Sequence, residues 1–321
     1  MMGVKRVVSL LPSAAEIISL IVGNNPSVQL VGRSHEDDYP PSVTTLPILT
    51  APKTKFTTTA DVDVQVSNLL AEGNSLYTLD IALLKSLRPD IVITQNIKNI
   101  NIKLILFDYS TAHRKTEPII VTLNPLSIED VISSISDVGK ALEMIEESSR
   151  AISMLRSRIN HARDLVNQSI ASGRKRSKVA FFEWTSPIYL GGHWTPQLIR
   201  WSNGIQVLAD CKDGDTAEMG APPSVRVPPE DIIREKPEIL IVCPCGLNLD
   251  ATRKEYEETL LPSNWWPPLA KYASKIALVD GNQMFNRSGP RLVDALEWLV
   301  GYINDIPEVI PKNFPWENLK S

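Results

Sequence analysis

The chain has 321 residues, long enough for two lobes with separate cores. Its composition, 43% hydrophobic and 22% charged, is that of a soluble globular protein, and a net charge of −4 excludes a general attraction to nucleic acid or acidic membranes. Three cysteines, Cys211, Cys243 and Cys245, are too few and too oddly numbered for a disulfide framework and indicate a reducing compartment.

Arg6 to Leu11 reads as a short buried strand, followed by Pro12-Ser13-Ala14-Ala15-Glu16. Ser13 and Glu16 have capping-box spacing, so the hydroxyl and the carboxylate are expected to satisfy free amides at a helix start. Ile17, Ile18, Leu20 and Ile21 continue that helix, and Gly23 closes it. Val28 to Val31 is a second strand. The stretch S-H-E-D-D-Y-P follows from Ser34, placing one imidazole and three carboxylates at a strand's C-terminal end. In open parallel sheets ligands bind at that end.

Leu83 to Arg88 ends a helix, Pro89-Asp90 turns the chain, and Ile91 to Thr94 forms a strand. The same order recurs as helix Asp231 to Lys236, turn Pro237-Glu238 and strand Ile239 to Val242, which suggests two lobes of similar build. Between them, Ser127 to Ala171 contains no proline and only Gly139, with apolar residues at helical spacing. One unbroken helix there would be roughly 65 Å long, so two helices with a break near Glu143 to Glu147 are expected, the second acting as a stiff strut. The basic run Gly173 to Lys178 falls where this helix gives way to the strand Val179 to Glu183 and reads as a solvated connection.

Several stretches carry chemistry. His35, Glu36, Asp37 and Asp38 offer ligands for a hard or borderline metal, but neighbours on an extended chain alternate sides and no zinc-binding spacing is present. Asp37 and Asp38 can equally cap a turn that Pro40 and Pro41 stiffen. Gly191-Gly192-His193-Trp194 combines close backbone approach with a donor and a flat aromatic surface, while Thr195-Pro196 reads as an N-cap and first helical residue. Packed core is the competing reading for Trp194, and also for Trp265-Trp266. Cys243-Pro244-Cys245-Gly246 closes the repeated strand, with Cys243 expected in the core and Cys245 facing a ligand cleft beside Gly246. Asp280-Gly281-Asn282, Phe285 and Arg287 follow the strand Ile276 to Val279, and Arg287 suits a carboxylate, a phosphate or a rim salt bridge. No G-x-G-x-x-G after a strand, Walker A sequence or G-x-S-x-G elbow occurs.

Taken together, V-V-S-L-L-P-S-A-A-E-I from Val7, S-H-E-D-D-Y-P-P from Ser34, L-Y-T-L-D from Leu76 and R-P-D-I-V-I-T-Q from Arg88 resemble a known pattern. So do G-G-H-W-T-P from Gly191, P-C-G from Pro244 and D-G-N-Q-M-F-N-R-S-G-P-R-L-V-D from Asp280. The chain resembles the class III periplasmic-binding-protein superfamily (the TroA-like solute-binding fold), and within it the cobalamin-binding branch with its intracellular relatives. The resemblance implies an α/β protein with two Rossmann-like lobes of mainly parallel sheet, joined by a long rigid helix, and a ligand cleft between the lobes. The expected boundaries are residues 1–126 for the first lobe, 127–173 for the helical region and 174–321 for the second lobe. Such a helix implies limited closure on binding.

Two departures stand out. The family's first motif usually has cysteine where Asp37 stands, and after T-Q it usually carries a cysteine-containing segment, where this chain reads N-I-K-N-I-N-I-K-L-I-L-F-D-Y-S from Asn96. The chain is therefore expected to be a small-molecule binding protein, a carrier, store or sensor. Cobalamin, another corrinoid or a metal chelate is the ligand class that the resemblance implies. Expected contacts are Pro12, Ser13, His35, Glu36, Asp37, Asp38, Tyr39, Thr94, Gln95, Trp184, Gly192, His193, Trp194, Cys245, Gly246, Asn282, Phe285 and Arg287. The alternative is an enzyme reusing the cleft, with His35, Glu36, Asp38, His193 and Cys245 for acid–base, nucleophilic or metal chemistry. Pro12 and Glu16 interrupt any leader-like apolar stretch, and no run reaches transmembrane length. A cytoplasmic protein is expected, with no membrane insertion, no nucleic acid and no transporter partner.

Overall fold

A computed structural model describes residues 4–95, 117–211 and 223–320. The chain divides into two units: residues 1–125 with 131–154, and residues 126–130 with 155–321.

The first unit opens with β1 (Lys5–Ser9), α1 (Pro12–Val22) and β2 (Val28–Gly32). Pro12 takes the first helical turn, where its missing N–H costs nothing. The expected capping box does not form: Leu11 is the N-cap, and Ser13 and Glu16 lie buried within the helix. Gly23 closes α1 as expected, its amide bonded to Ser19 O. Further on come β3 (Thr50–Pro52), α2 (Thr59–Ala71), β4 (Tyr77–Leu79), α3 (Ile81–Leu87), β5 (Ile91–Thr94) and β6 (Ile119–Thr122). β2, β1, β5 and β6 form a parallel sheet in that order, while β3 and β4 pair antiparallel apart from it. Val8, Leu10, Val31, Leu49, Leu84 and Val92 make one buried cluster on this sheet.

α4 (Ile128–Leu142) and α5 (Ile145–Ala171) replace any single long helix. The break falls at Glu143, which adopts φ 58°. Gly139 makes the tight return feasible, since a methyl group there would lie 2.2 Å from the Ser148 hydroxyl. α5 starts in the first unit and ends in the second.

The second unit holds β7 (Ser177–Thr185), β8 (Ile188–Leu190), α6 (Trp194–Trp201), β9 (Gly204–Gln206), β10 (Val225–Arg226) and α7 (Pro229–Glu235). It continues with β11 (Ile239–Val242), α8 (Leu249–Glu255), α9 (Trp266–Ala270), β12 (Lys275–Val279), α10 (Leu292–Asn304) and β13 (Trp316–Lys320). The sheet order is β10-β8-β7-β11-β12-β13, with β7, β11 and β12 parallel and β9 beside the start of β7. Trp266 is buried, and Trp265 and Trp266 pack on Phe182 with ring centroids 6.2 and 5.7 Å away, so this pair belongs to the core.

The repeat visible in the sequence extends to individual hydrogen bonds. α3 ends at Arg88 with φ 48°, and α7 ends at Lys236 with φ 50°. The next acid then plugs into the first strand of its own sheet. Asp90 N–H donates to Arg6 O at 2.7 Å and its carboxylate accepts from Arg6 N–H at 2.7 Å. Glu238 N–H likewise donates to Lys178 O at 2.8 Å, and its carboxylate accepts from Lys178 N–H at 3.1 Å. β5 and β11, which follow, are buried at every residue, as expected of central parallel strands. Among the described residues, no helix is long and apolar enough to cross a membrane.

Candidate ligand-binding loops

In the first unit the parallel strands end where the sequence places its chemistry. Pro12 and Ser13 follow β1, His35 follows β2, and Thr94 and Gln95 close β5. The loop after β2 is built around Arg33, a residue the sequence reading passed over. Its buried guanidinium donates to the carbonyls of Ser34 at 3.1 Å, Asp37 at 2.9 Å and Thr44 at 3.1 Å. Asp37 is wholly buried and accepts the Ser34 amide at 2.8 Å. This corrects its expected place among the ligand contacts: the acid turns inward and pins its own loop. Glu36 and Asp38 are half-buried, and Tyr39 is exposed.

His35 is thereby held outside the sheet. Its Nδ1 lies 2.7 Å from Thr50 Oγ1, and its amide donates to the same oxygen at 3.0 Å. Its ring packs 5.4 Å from that of Tyr77. Burial pushes its pKa below the ordinary 6.5; Glu36 opposes this and Arg33 reinforces it. The imidazole is thus neutral near pH 7, and the Glu36 carboxylate, 4.0 Å from Nε2, is a neighbour rather than an ion-pair partner. Thr50 and Tyr77 come from the β3–β4 pair, so only the folded chain reveals them. Thr94 is buried and donates its hydroxyl to Gln95 O at 3.0 Å. Ser13 is buried too, and Pro12 half-buried.

The second unit repeats the arrangement with different means. His193 is the N-cap of α6 at φ 53° and ψ −119°, backbone space that only glycine adopts without strain. This corrects the expectation that Thr195 is the N-cap: Thr195 and Pro196 lie inside the helix, and Thr195 N–H reaches back to Gly192 O at 3.0 Å. The His193 ring is half-buried, which lowers its pKa, and has no hydrogen-bond or ion-pair partner among the described residues. Trp194 beside it donates Nε1–H to Phe285 O at 2.5 Å. Behind them the Glu183 carboxylate accepts from Gly192 N–H at 3.3 Å and from the Ser224 hydroxyl at 2.6 Å. Burial raises the pKa of Glu183, and these two hydrogen bonds partly offset the rise.

The strand-end loops of β11 and β12 press together. A methyl group on Gly281 would lie 2.0 Å from Pro244 O, and Gly246 N–H donates to Gly281 O at 3.1 Å. Cys245 is exposed, whereas Cys243 is fully buried. Burial, then the charges of Asp280, Cys245 and Glu183, push the Cys243 thiol far above its ordinary pKa, so it is a core residue and no nucleophile. Asn282 and Trp184 are half-buried. Phe285 departs from its expected place at the ligand: its side chain is fully buried against Phe181, Trp298 and Phe314, and only its carbonyl serves the loop, through Trp194. Arg287 is also buried. Among the described residues, no group of three or more His, Cys, Asp or Glu could hold a metal ion. The cysteine-free segment after Gln95 lies outside the described residues.

The fold is that of the class III periplasmic binding proteins, as the solved structures it resembles show. A periplasmic heme-binding protein from Pseudomonas aeruginosa matches with a TM-score of 0.66 at 18% identity, over 99% of this chain and 98% of that one. The periplasmic vitamin B12-binding protein BtuF of Vibrio cholerae matches at 0.60 and 17% identity, over 94% and 97%. The heme-binding protein RhuT from Roseiflexus sp. RS-1 matches at 0.60 and 21% identity, over 94% and 99%. No family model and no curated protein sequence matches the chain.

Proposed function

We propose that this protein binds a small molecule as a carrier, store or sensor, and that the ligand is corrinoid-like or a metal chelate contacted by its strand-end loops. The observation that carries this reading is His193. A histidine held in glycine-like backbone space, half-buried, its ring 5.7 Å from that of Trp194 and without a hydrogen-bond or ion-pair partner among the described residues, is costly to maintain unless the ring has a task. Trp184 and Trp194, both half-buried, supply flat surface, and His35 offers a polar group in the first unit. The named neighbours with this fold bind heme or vitamin B12, which supports a large, flat, metal-bearing ligand over a small polar one.

Calorimetric titration with cobalamin and with ferric heme, in reducing buffer, tests the proposal. Saturable one-to-one binding of either, with a raised melting temperature, is the expected result. Absence of heat and of any melting shift with both would contradict it. A cytoplasmic site of action is part of the same proposal. Cell fractionation checks it, and recovery outside the cytoplasm would overturn that part.

A further inference from the structure

The hydrogen bonding around His35 decides which face its ring shows a ligand. Thr50 Oγ1 lies 2.7 Å from Nδ1 and already accepts the His35 amide at 3.0 Å. A hydroxyl has one proton to give. Thr50 is buried, and among the described residues the only acceptor within reach of that proton is Nδ1. If Nδ1 carried the imidazole proton, the buried hydroxyl would face a second donor and its own proton would go unused. With Nδ1 as acceptor, each polar atom of the pair is satisfied. Nε2 then carries the proton. The Glu36 carboxylate, 4.0 Å from Nε2, favours an N–H on that side as well.

We propose that Thr50 is a positioning residue that fixes His35 as the Nε2–H tautomer, so that His35 recognises an oxygen acceptor on the ligand, such as a carboxylate, and does not ligate its metal. Metal ligation through Nε2 needs the opposite tautomer, with Nδ1–H donating to a carboxylate, carbonyl or water. This inference rests on the ligand reading above for its role in binding, but the tautomer itself belongs to the ligand-free protein.

The test has two arms. The first is the pair of ring ¹⁵N shifts of His35 in the ligand-free full-length protein near neutral pH, assigned by their loss in His35→Gln. A protonated Nε2 and a bare Nδ1 are expected. Thr50→Ser should keep that pattern, and Thr50→Val should move it toward a mixture. A protonated Nδ1 in the native protein overturns the proposal whether or not anything binds. The second arm is titration with ferric heme, read by visible spectra of the native protein and of His35→Gln. The expected result is the same iron ligation in both, with affinity about tenfold lower in the variant. Loss of an imidazole–iron signature in the variant overturns the donor role. If neither heme nor cobalamin binds the native protein while Nε2 is protonated, the ligand class proposed above fails and the tautomer assignment stands.

Discussion

The two histidine loops, one after β2 of a parallel sheet and one after β8, which runs antiparallel to β7, are held by different means. The loop after β2 is secured from close by in sequence: Arg33 gathers three carbonyls, Asp37 takes the Ser34 amide, and Thr50 holds the ring. The loop before α6 is secured both from the end of β7 nearby and from the loop after β12, far along the chain. Glu183 and Phe285 hold the residues on either side of His193, and the histidine itself bears the backbone strain. The first arrangement orients an imidazole through its side chain. The second orients one through its main chain and leaves the ring against Trp194, with no hydrogen-bond or ion-pair partner among the described residues.

That difference can be broken one loop at a time. The largest effect is expected from Gly281→Ala. Its methyl group would strike the Pro244 backbone and displace the segment that presents Phe285 O to Trp194. A loss of about 3 kcal/mol in urea unfolding is expected, with changed tryptophan fluorescence and unchanged His35 resonances. Arg33→Met should do the converse. It removes the donor to three carbonyls and should cost about 2 kcal/mol, with the His35 resonances shifted and those of His193 in place. His193→Gly should release strain, offset in part by the entropy of glycine, and raise stability by about 1 kcal/mol while weakening ligand binding. A fall in stability would mean that other contacts support the strained conformation.

The pH dependence is the finest probe. The folded state lowers the pKa of His35 and His193, so it binds fewer protons than the unfolded chain just below 6.5. Their contribution is fully present above 6.5 and is lost as pH falls through it toward the folded values. Glu183 has the opposite sign: its raised pKa favours the folded state below 4.5, and that contribution is lost as pH rises from 4.5 through the folded value. Denaturation across the acidic range should therefore show a slope that His35→Asn reduces and Glu183→Gln steepens.

Much of the fold was legible because it is written in local chemistry. Pro89 and Pro237, each with an acid and four apolar residues after it, declare the turn and buried strand of either unit, and Gly139 with the proline-free stretch declares the paired helices. The candidate residues were legible by position, as strand-end groups, and less so by orientation. Asp37 and Phe285 resemble ligand groups in sequence, yet one turns inward to an amide and the other into an aromatic core. Ser13, Glu16 and Thr195 stand where helix caps are expected, but each lies inside its helix because the chain enters the helix earlier. Arg33, Thr50, Tyr77 and Glu183 escaped notice for a common reason. What each does depends on a contact that only folding creates, although a lone arginine directly before S-H-E-D-D was a signal that could have been weighed.

The most direct test of the central claim is amide hydrogen exchange, with and without saturating cobalamin, read at the loops after β2 and before α6. The account predicts that slowed exchange concentrates at Ser34 to Glu36 and at Gly192 to Trp194. Slowing confined to other surfaces, or no change in either loop, would contradict it.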